Sequence, residues 1–582
     1  MPNAAPPKHR LQQLLKKGMK LHREGRLELA RGCYQKILKA DPLSAEAQQL
    51  ARVLQPESSP AAKAIFVTDN AETLAQHAAA YLAQGKLQQA LESCKGVVKL
   101  RPDSFEAHQR LGEMHERLGD LPAALDCYRR ALELQPDSPD LHCHLARVLG
   151  QGRAFQPAAE LYRRALTLDP QRQGIYSDLA YALTELGDLD AALEAFKRAL
   201  RLAPRSPKTI ASLGHFFERK GDLLSAADAY REAVKLDPQL HAAYLDLGFV
   251  LYGLGELAEA SDCLRRLLAQ QPDSWEAKAQ LALIQLLQGD MPGGWATYES
   301  RWQVGVGDER RFFQPQWKGE RLNGARILLY AEQGLGDTLQ FVRYVPLVAA
   351  RGGEVLLEVQ PSLHDLLTPS EGASRVIRRG ETLPEFTWQC PLMSLPLAFK
   401  TELNSIPASV PYIHPDATRV ASWRERLAGN TRRIGLAWAG RPEHPRDRWR
   451  SLPLEQLVPL LNVPGTTFYS LQVGAGAEQV QQLPPDVRLV DLAAEVKDFA
   501  NTAAAVANLD LVISIDSAMV HLAGAMGKPV WVLLNKGCDW RWLLDRADSP
   551  WYPTARLFRQ TTPGEWQEPV KRIERELRQD AT

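Results

Sequence analysis

Three short stretches in the second half of the chain combine residue types that suit phosphate groups. The first is Ala331-Glu332-Gln333-Gly334-Leu335-Gly336-Asp337-Thr338, directly after a strand-like run. Gly334 and Gly336 free backbone amides to approach a ligand, and a helix is expected from about Thr338. Asp337 stands at that helix start, at the carboxyl end of a strand, where α/β proteins bind ligands; an ordinary N-cap would also place an Asp there. The second runs from Ser514 through Asp516, Ser517 and His521 to Gly527. Ser517 caps a helix, and His521, four residues on, shares its face beside an amino terminus whose N–H groups and dipole favour a diphosphate. A structural cap with a half-buried histidine has the same pattern. The third is Arg446-Asp447-Arg448-Trp449-Arg450-Ser451-Leu452-Pro453. Arg448 and Arg450, ahead of a helix start at Ser451 and Pro453, suit phosphate oxygens, although a solvated charged loop reads alike. No Asp-x-Asp pair ends a strand, so no metal and no cofactor are expected.

Something must hold these stretches together. From about Trp317, short β-branched runs alternate with helical ones, the pattern of parallel α/β layers. Candidate strands are Ile327–Tyr330, Val355–Val359, Ile434–Trp438, Thr467–Leu471, Leu511–Ile515 and Val530–Leu534. The strandless stretch from about 411 to 433 joins two lobes, and Pro569–Gln579 forms a polar amphipathic helix.

The first half has a different order. Pro102, Pro136, Pro170, Pro204, Pro238 and Pro272 recur every 34 residues. That period marks stacked helix pairs, each too small to bury its own apolar face. Other columns run in step. Gly25, Gly85, Gly119, Gly187, Gly221 and Gly255 mark the turn within each pair, and Gly152 falls one residue early with Arg153 in its place. Ala30, Ala90, Ala124, Ala158, Ala192, Ala226 and Ala260 let helices approach, and Tyr34, Tyr128, Tyr162, Phe196 and Tyr230 supply bulk. The gap from Pro42 to Pro102 breaks the period, so residues 56–70 read as an irregular insert.

Composition excludes several classes. With 45% apolar and 24% charged residues the chain is globular, and its net charge of +1 gives no reason to expect a nucleic-acid partner. No run reaches the ~20 apolar residues of a membrane span. Seven scattered cysteines read as thiols of a reducing compartment, so a cytoplasmic location is expected. All thirteen tryptophans lie at Trp275 or later, so the two halves have different jobs.

The columns resemble the tetratricopeptide repeat over about residues 9 to 303. That resemblance implies a superhelical groove for an extended peptide, with the sixth residue of each repeat facing it: Gln76, Arg110, His144, Asp178, Ser212 and Asp246. The set is polar and varied, without an asparagine ladder.

The runs WKGERLNGARILLYAEQGLGDTLQFVRY, DLVISIDSAMVHLAGAMGKPVWVLL and DWRWLLDRADSPWYPTARLFRQ resemble the ADP-heptose:lipopolysaccharide heptosyltransferases, and more closely proteins that fuse such a module to tetratricopeptide repeats. The resemblance implies α + α/β architecture: a tetratricopeptide α-solenoid (1–305), then a GT-B module with an acceptor-side lobe (306–420) and a nucleotide-sugar lobe (421–582). It implies an inverting, metal-independent glycosyltransferase. Asp337 matches the proposed catalytic base. Asp516, Ser517 and His521 match donor nucleotide and phosphate contacts, and Arg450 matches a basic residue near the phosphates. The remaining expected donor contacts are Gly334, Gly336, Arg448 and Ser451. The acceptor is a hydroxyl, expected on a protein such as flagellin or another surface protein. The alternatives are a non-catalytic scaffold with a degenerate module and a lipopolysaccharide heptosyltransferase. Two positions depart from the family: Asn535-Lys536-Gly537-Cys538, in place of a Pro-rich turn, and Asn501, where Asp is commoner.

Overall fold

Each repeat's helix boundaries follow from its own sequence. In the pair Phe105–Arg117 and Leu121–Leu134, Ser104 accepts from the Ala107 N–H at 3.2 Å and Asp120 from the Ala123 N–H at 3.2 Å, capping both helices. Gly119 between them takes φ 78°, and Gln135 leaves the helical region before Pro136, which disfavours helical backbone in the residue it follows. Where the glycine column slips, Arg153 itself adopts the left-handed φ of 61°. A strain of ~1–2 kcal/mol is the ordinary cost for a side-chain-bearing residue. Ala90, Ala124 and Ala158 are wholly buried, and a Cβ at Gly112 would lie 2.9 Å from the Tyr128 ring, so the small and bulky columns are two sides of one contact.

The computed structural model describes residues 8–24, 26–40, 44, 47, 50–51, 60–305, 310 and 312–579. Gly25, Pro42 and residues 56–59 fall outside them. The irregular insert expected over 56–70 is corrected for its described part, because Pro60–Ala83 is a single helix. Pro60 is preorganised for a first helical position, and Ala61, Ala62 and Ala64 are strong helix formers.

The chain divides into two compact units, 1–204 and 205–582, instead of parting at residue 305. The first holds repeats alone. The second holds the last repeats and two parallel sheets. One sheet has the order β3-β2-β1-β4, from β1 (Arg326–Tyr330), β2 (Glu354–Val359), β3 (Arg375–Arg378) and β4 (Trp388–Pro391). The other has the order β10-β9-β8-β5-β6-β7, from β5 (Arg432–Ala437), β6 (Thr466–Ser470), β7 (Val490–Asp491), β8 (Leu511–Ile515), β9 (Val530–Leu534) and β10 (Ala555–Arg559). All pairings are parallel. Within the second sheet, counted from β5, the order is that of the doubly wound dinucleotide fold. The central strands are buried along nearly their whole length, which is why they read as continuous apolar runs. The helix Gln567–Gln579 closes the chain against β10.

Inside the second unit the repeats are welded to the lobes. Trp295, on the helix Met291–Tyr298, stands edge-on to Trp540 and Trp551 with centroids 5.1 and 6.5 Å away, and its indole donates to the Thr401 carbonyl at 3.1 Å. Tyr252, on the helix His241–Leu254, is buried and donates its phenol proton to the Cys538 carbonyl at 2.8 Å. The Arg446 guanidinium lies 4.1 Å over the Tyr252 ring. Backbone meets backbone here: a Cβ on Gly537 would sit 2.4 Å from the Tyr252 carbonyl oxygen and 2.6 Å from the Gly253 Cα. The Asn535–Cys538 departure is therefore the surface that receives a repeat helix.

Every tryptophan belongs to the second unit, so tryptophan fluorescence reports its unfolding alone. Tyr252→Phe strands the Cys538 carbonyl and is expected to cost ~1–3 kcal/mol. Denaturation followed by that fluorescence checks it, and an unchanged midpoint would remove this contact from the account.

Candidate active site

In a doubly wound sheet, ligands bind beyond the carboxyl ends of the strands, where the winding direction reverses. In the second lobe that point lies between β5 and β8. The loop after β5 carries Arg446 to Ser451, and the loop after β8 carries Asp516 and Ser517. In the first lobe it lies between β1 and β4, and the loop after β1 carries Glu332 to Asp337. Topology alone therefore brings all three motifs to sheet edges of the right kind.

The two edges meet. The helix Leu335–Phe341 of the first lobe packs on Ala518–Ala525 of the second. A Cβ on Gly336 would lie 2.7 Å from the His521 ring and 3.4 Å from the Ala518 Cα, so only glycine fits against that helix start. The Gly334 N–H donates to Asp337 Oδ2 at 2.8 Å. Asp337 is thus the third residue of its helix and not the residue before it, a correction to the expected start at Thr338.

Arg541 is the hub. It is 7% exposed, its guanidinium donates to Asp337 of the first lobe and to Asp539 of the second (2.8 Å), and it also reaches Gln340 Oε1. The Trp540 ring lies 4.3 Å beneath it. Burial pushes the Asp337 carboxyl above the ordinary range; the Arg541 charge opposes this and the Asp539 charge adds to it. Burial would also raise Asp539, but Arg541 outweighs burial and holds it low. Burial and then the Asp539 charge raise Asp516. Asp337 and Asp539 thus share one arginine, and Asp516 feels the charges of Arg450 and Arg541.

Arg450 completes the second-lobe side. It donates to the Asp516 carbonyl at 3.1 Å and to Asp447 Oδ1 at 3.1 Å, which holds the guanidinium beside the carboxyl end of β8. Ser517 accepts the Met519 N–H at 3.3 Å, and its own carbonyl accepts the Val520 N–H at 3.1 Å. The Ala518 N–H has no partner among the described residues.

Both halves of the chain are similar to known proteins. The model of glycosyltransferase family 9 (heptosyltransferase) matches residues 462–535, which include β8 and Ser517. The model described as the cilia and flagella-associated protein 70 C-terminal domain matches the repeats over 66–310. The chain carries tetratricopeptide-like repeats joined to a module resembling the heptosyltransferase family. The protein FlbA of Caulobacter vibrioides is 28% identical over 326 residues, covering 51% of this chain and 54% of FlbA, so the chain spans about half of that relative's length. Two solved structures are also similar. A tetratricopeptide-repeat protein of Parabacteroides merdae has a TM-score of 0.36 at 17% identity, covering 41% of this chain and 95% of its own. A thermophilic repeat protein of Thermus thermophilus has a TM-score of 0.30 at 25% identity, covering 31% and 100%.

Several expected donor contacts have other work. Arg448 turns away and pairs with Glu218 of the repeat helix Pro207–Lys220. Ser451 donates to Asp447 Oδ2 at 2.9 Å and accepts from the Gly440 N–H at 2.8 Å, so it shapes the loop. His521 is 5% exposed, exchanges a hydrogen bond with the Tyr552 hydroxyl at 2.9 Å and stacks on Trp542. Burial, reinforced by Arg541, holds it far below the ordinary histidine range. Asn501 donates to Asp498 within a helix cap at 2.7 and 2.8 Å, a structural use. Of the expected groove residues, Gln76, Arg110 and Asp178 in the first unit and Asp246 in the second are exposed. His144 is committed to packing, stacked on Tyr128 at 5.2 Å and bonded to Arg147 at 2.8 Å; Ser212 is half-buried.

Arg541, Asp539, Asp447 and Gln340 were not singled out from sequence, although Asp539 and Arg541 lie in one of the family-like runs. A basic residue between two tryptophans was the available signal. Replacing Arg541 with Gln leaves Asp337 and Asp539 facing each other without a cation. The expected loss is ~3–5 kcal/mol, as for a buried pair stripped of one partner; a denaturation midpoint equal to wild type would refute the hub.

His444 gives a pH test. Its Nδ1 accepts the Arg446 N–H at 3.2 Å, and burial, with Arg450 and Arg446, lowers it to about 4. The unfolded chain then takes the proton more readily, so this stability is complete above the unfolded value of ~6.5 and is lost as pH falls towards the folded value. Relative to His444→Gln, the wild type should lose at most ~1.4 kcal/mol per pH unit on acidification across that window. Parallel stability curves for the two proteins would contradict it.

Proposed function

We propose that the chain moves a sugar from a nucleotide-sugar donor to a hydroxyl acceptor, most simply on a protein held by the repeats. One observation carries this reading: the Ser517 helix start of one lobe, beside Arg450, packs against the helix of the other lobe that carries Asp337. Its side chain keeps 22% exposure, enough to meet a substrate hydroxyl. A carboxyl group raised by burial suits a general base, since proton affinity then lies nearer working pH. It takes the acceptor proton as the acceptor oxygen attacks the anomeric carbon and the bond to the nucleoside diphosphate breaks. Attack from the side opposite the leaving group inverts that carbon. The Ala518 N–H, the helix dipole and Arg450 stabilise the charge gathering on the diphosphate, without a metal. His521 assists as packing.

The acceptor reading rests on the exposed polar residues of the repeats. It extends to flagellin or another surface protein as substrate class and to the cytoplasm as the place of reaction; no described helix is long and apolar enough to cross a membrane. A glycolipid acceptor would leave the long repeat array without a task.

A second reading, a scaffold without turnover, has one observation in its favour. Both Asp337 oxygens already have partners, Oδ1 in Arg541 and Oδ2 in the Gly334 N–H. The readings part at Asp337→Asn. The transferase reading expects turnover, screened over a panel of nucleotide sugars, to fall ~10²–10⁴-fold while donor affinity by calorimetry stays within twofold. Transfer at the wild-type rate by the variant would remove Asp337 as base, and no donor binding by the wild type would favour the scaffold.

A further inference from the structure

A polar cavity opens between the last repeats and the second lobe. It has a volume of about 360 Å³, within the range of small-molecule sites, and is walled on one side by a repeat turn and on the other by the second lobe. The repeat turn contributes Arg219, Lys220 and Gly221, and the lobe contributes Arg448, Asn535 and Lys536. Asn535 and Lys536 follow β9 directly, and Gln560, also in the wall, follows β10. The cavity thus sits on the ligand-binding edge of the sheet, where Arg448, Trp449 and Ser451 of the loop after β5 also line it.

Two features make this more than a surface dip. First, four lining side chains are cationic and none is a carboxylate. Arg448 is neutralised by Glu218, but Lys220 and Lys536 have no ion-pair partner among the described residues. The Lys536 stem is held in place, since a Cβ on Gly255 would lie 3.4 Å from its Cε. Second, Asn535 is 7% exposed and its carboxamide has no hydrogen-bond partner among the described residues. Gln560 is also buried; its oxygen accepts from the Lys536 and Gly564 N–H groups, both at 3.3 Å, while its nitrogen lacks a protein partner.

We propose that this cavity binds a phosphate-bearing small molecule, with Asn535 hydrogen-bonding a phosphate oxygen and Lys220 and Lys536 neutralising its charge. The weld at Tyr252 and Gly537 fixes the repeat wall against the lobe wall, so the lysines are brought together before any ligand arrives. The phosphate has two possible sources: the donor's own nucleotide, extending from the Ser517 tip, or a separate effector. The inference does not depend on the transfer chemistry.

Lysine acylation footprinting of the full chain, with and without millimolar inorganic pyrophosphate, tests it. Lys220 and Lys536 should be protected severalfold while Lys99 and Lys235 label unchanged. Calorimetry should show pyrophosphate affinity falling about tenfold or more in Lys536→Glu and Asn535→Leu, as expected for lost charge-assisted bonds. Lys536 is exposed, so its variant keeps the fold. Equal labelling of both lysines with and without pyrophosphate, or unaltered affinity in both variants, overturns the proposal. Repeating the footprint in Arg450→Ala separates the sources: protection retained assigns a separate molecule, and protection lost assigns the donor's nucleotide. The Asp337→Asn assay stands or falls apart from all these outcomes.

Discussion

The second unit depends on a buried guanidinium placed between carboxylates from two lobes. An unpaired arginine could not stay there, because taking a charge out of water costs several kcal/mol unless geometry and hydrogen bonds repay it. Asp337, Asp539 and Gln340 repay it jointly, and the Trp540 face adds a cation–π contact. Such an arrangement tolerates little displacement. It fixes the first lobe's helix start against the second lobe's Ser517 helix, and a glycine at 336 is then required by distance alone. The same pairing sets the proton affinity of Asp337. Structure and chemistry therefore share a single residue.

The repeats enter this arrangement directly. Tyr252 holds the Cys538 carbonyl, Cys538 precedes Asp539, and Asp539 holds Arg541. A continuous chain of contacts runs from a repeat helix to the carboxyl group proposed as base. The last repeats are thus part of the wall that positions the site, which explains why the compact division falls at residue 204 and not where the repeat pattern fades. A ligand bound by these repeats has a physical path to the lobes through contacts already in place.

Much of the architecture was legible because its signals are local. A left-handed turn selects glycine, a helix end selects proline, and a buried parallel strand selects an unbroken apolar run, as in Leu511–Ile515 and Val530–Leu534. The strands that escaped sequence reading lack such runs. Arg375–Arg378 carries two arginines, Trp388–Pro391 ends in proline, Val490–Asp491 is two residues long, and Ala555–Arg559 is an edge strand alternating with charge. In the site, Asp337 and Ser517 announce themselves by position at strand ends. Arg541 does not, because its partner lies 204 residues away and distant charge pairs leave no periodicity. Arg448 and Arg450 looked equivalent, but two residues apart on the short helix Asp447–Arg450 they leave on opposite sides, one to Glu218 and one to Asp516. His521 was legible as sharing the Ser517 helix face, but its packing against Tyr552 and Trp542 was not, since both partners lie more than twenty residues away.

The central claim is that a nucleoside diphosphate rests on the amide at the start of Ala518–Ala525, within reach of Arg450 and facing Asp337. A crystal structure of the full chain with a nucleoside diphosphate measures this directly. The account predicts diphosphate oxygens within hydrogen-bonding distance of the Ala518 N–H and the Arg450 guanidinium. A diphosphate bound elsewhere, with that amide and Arg450 still unoccupied by ligand, would contradict it.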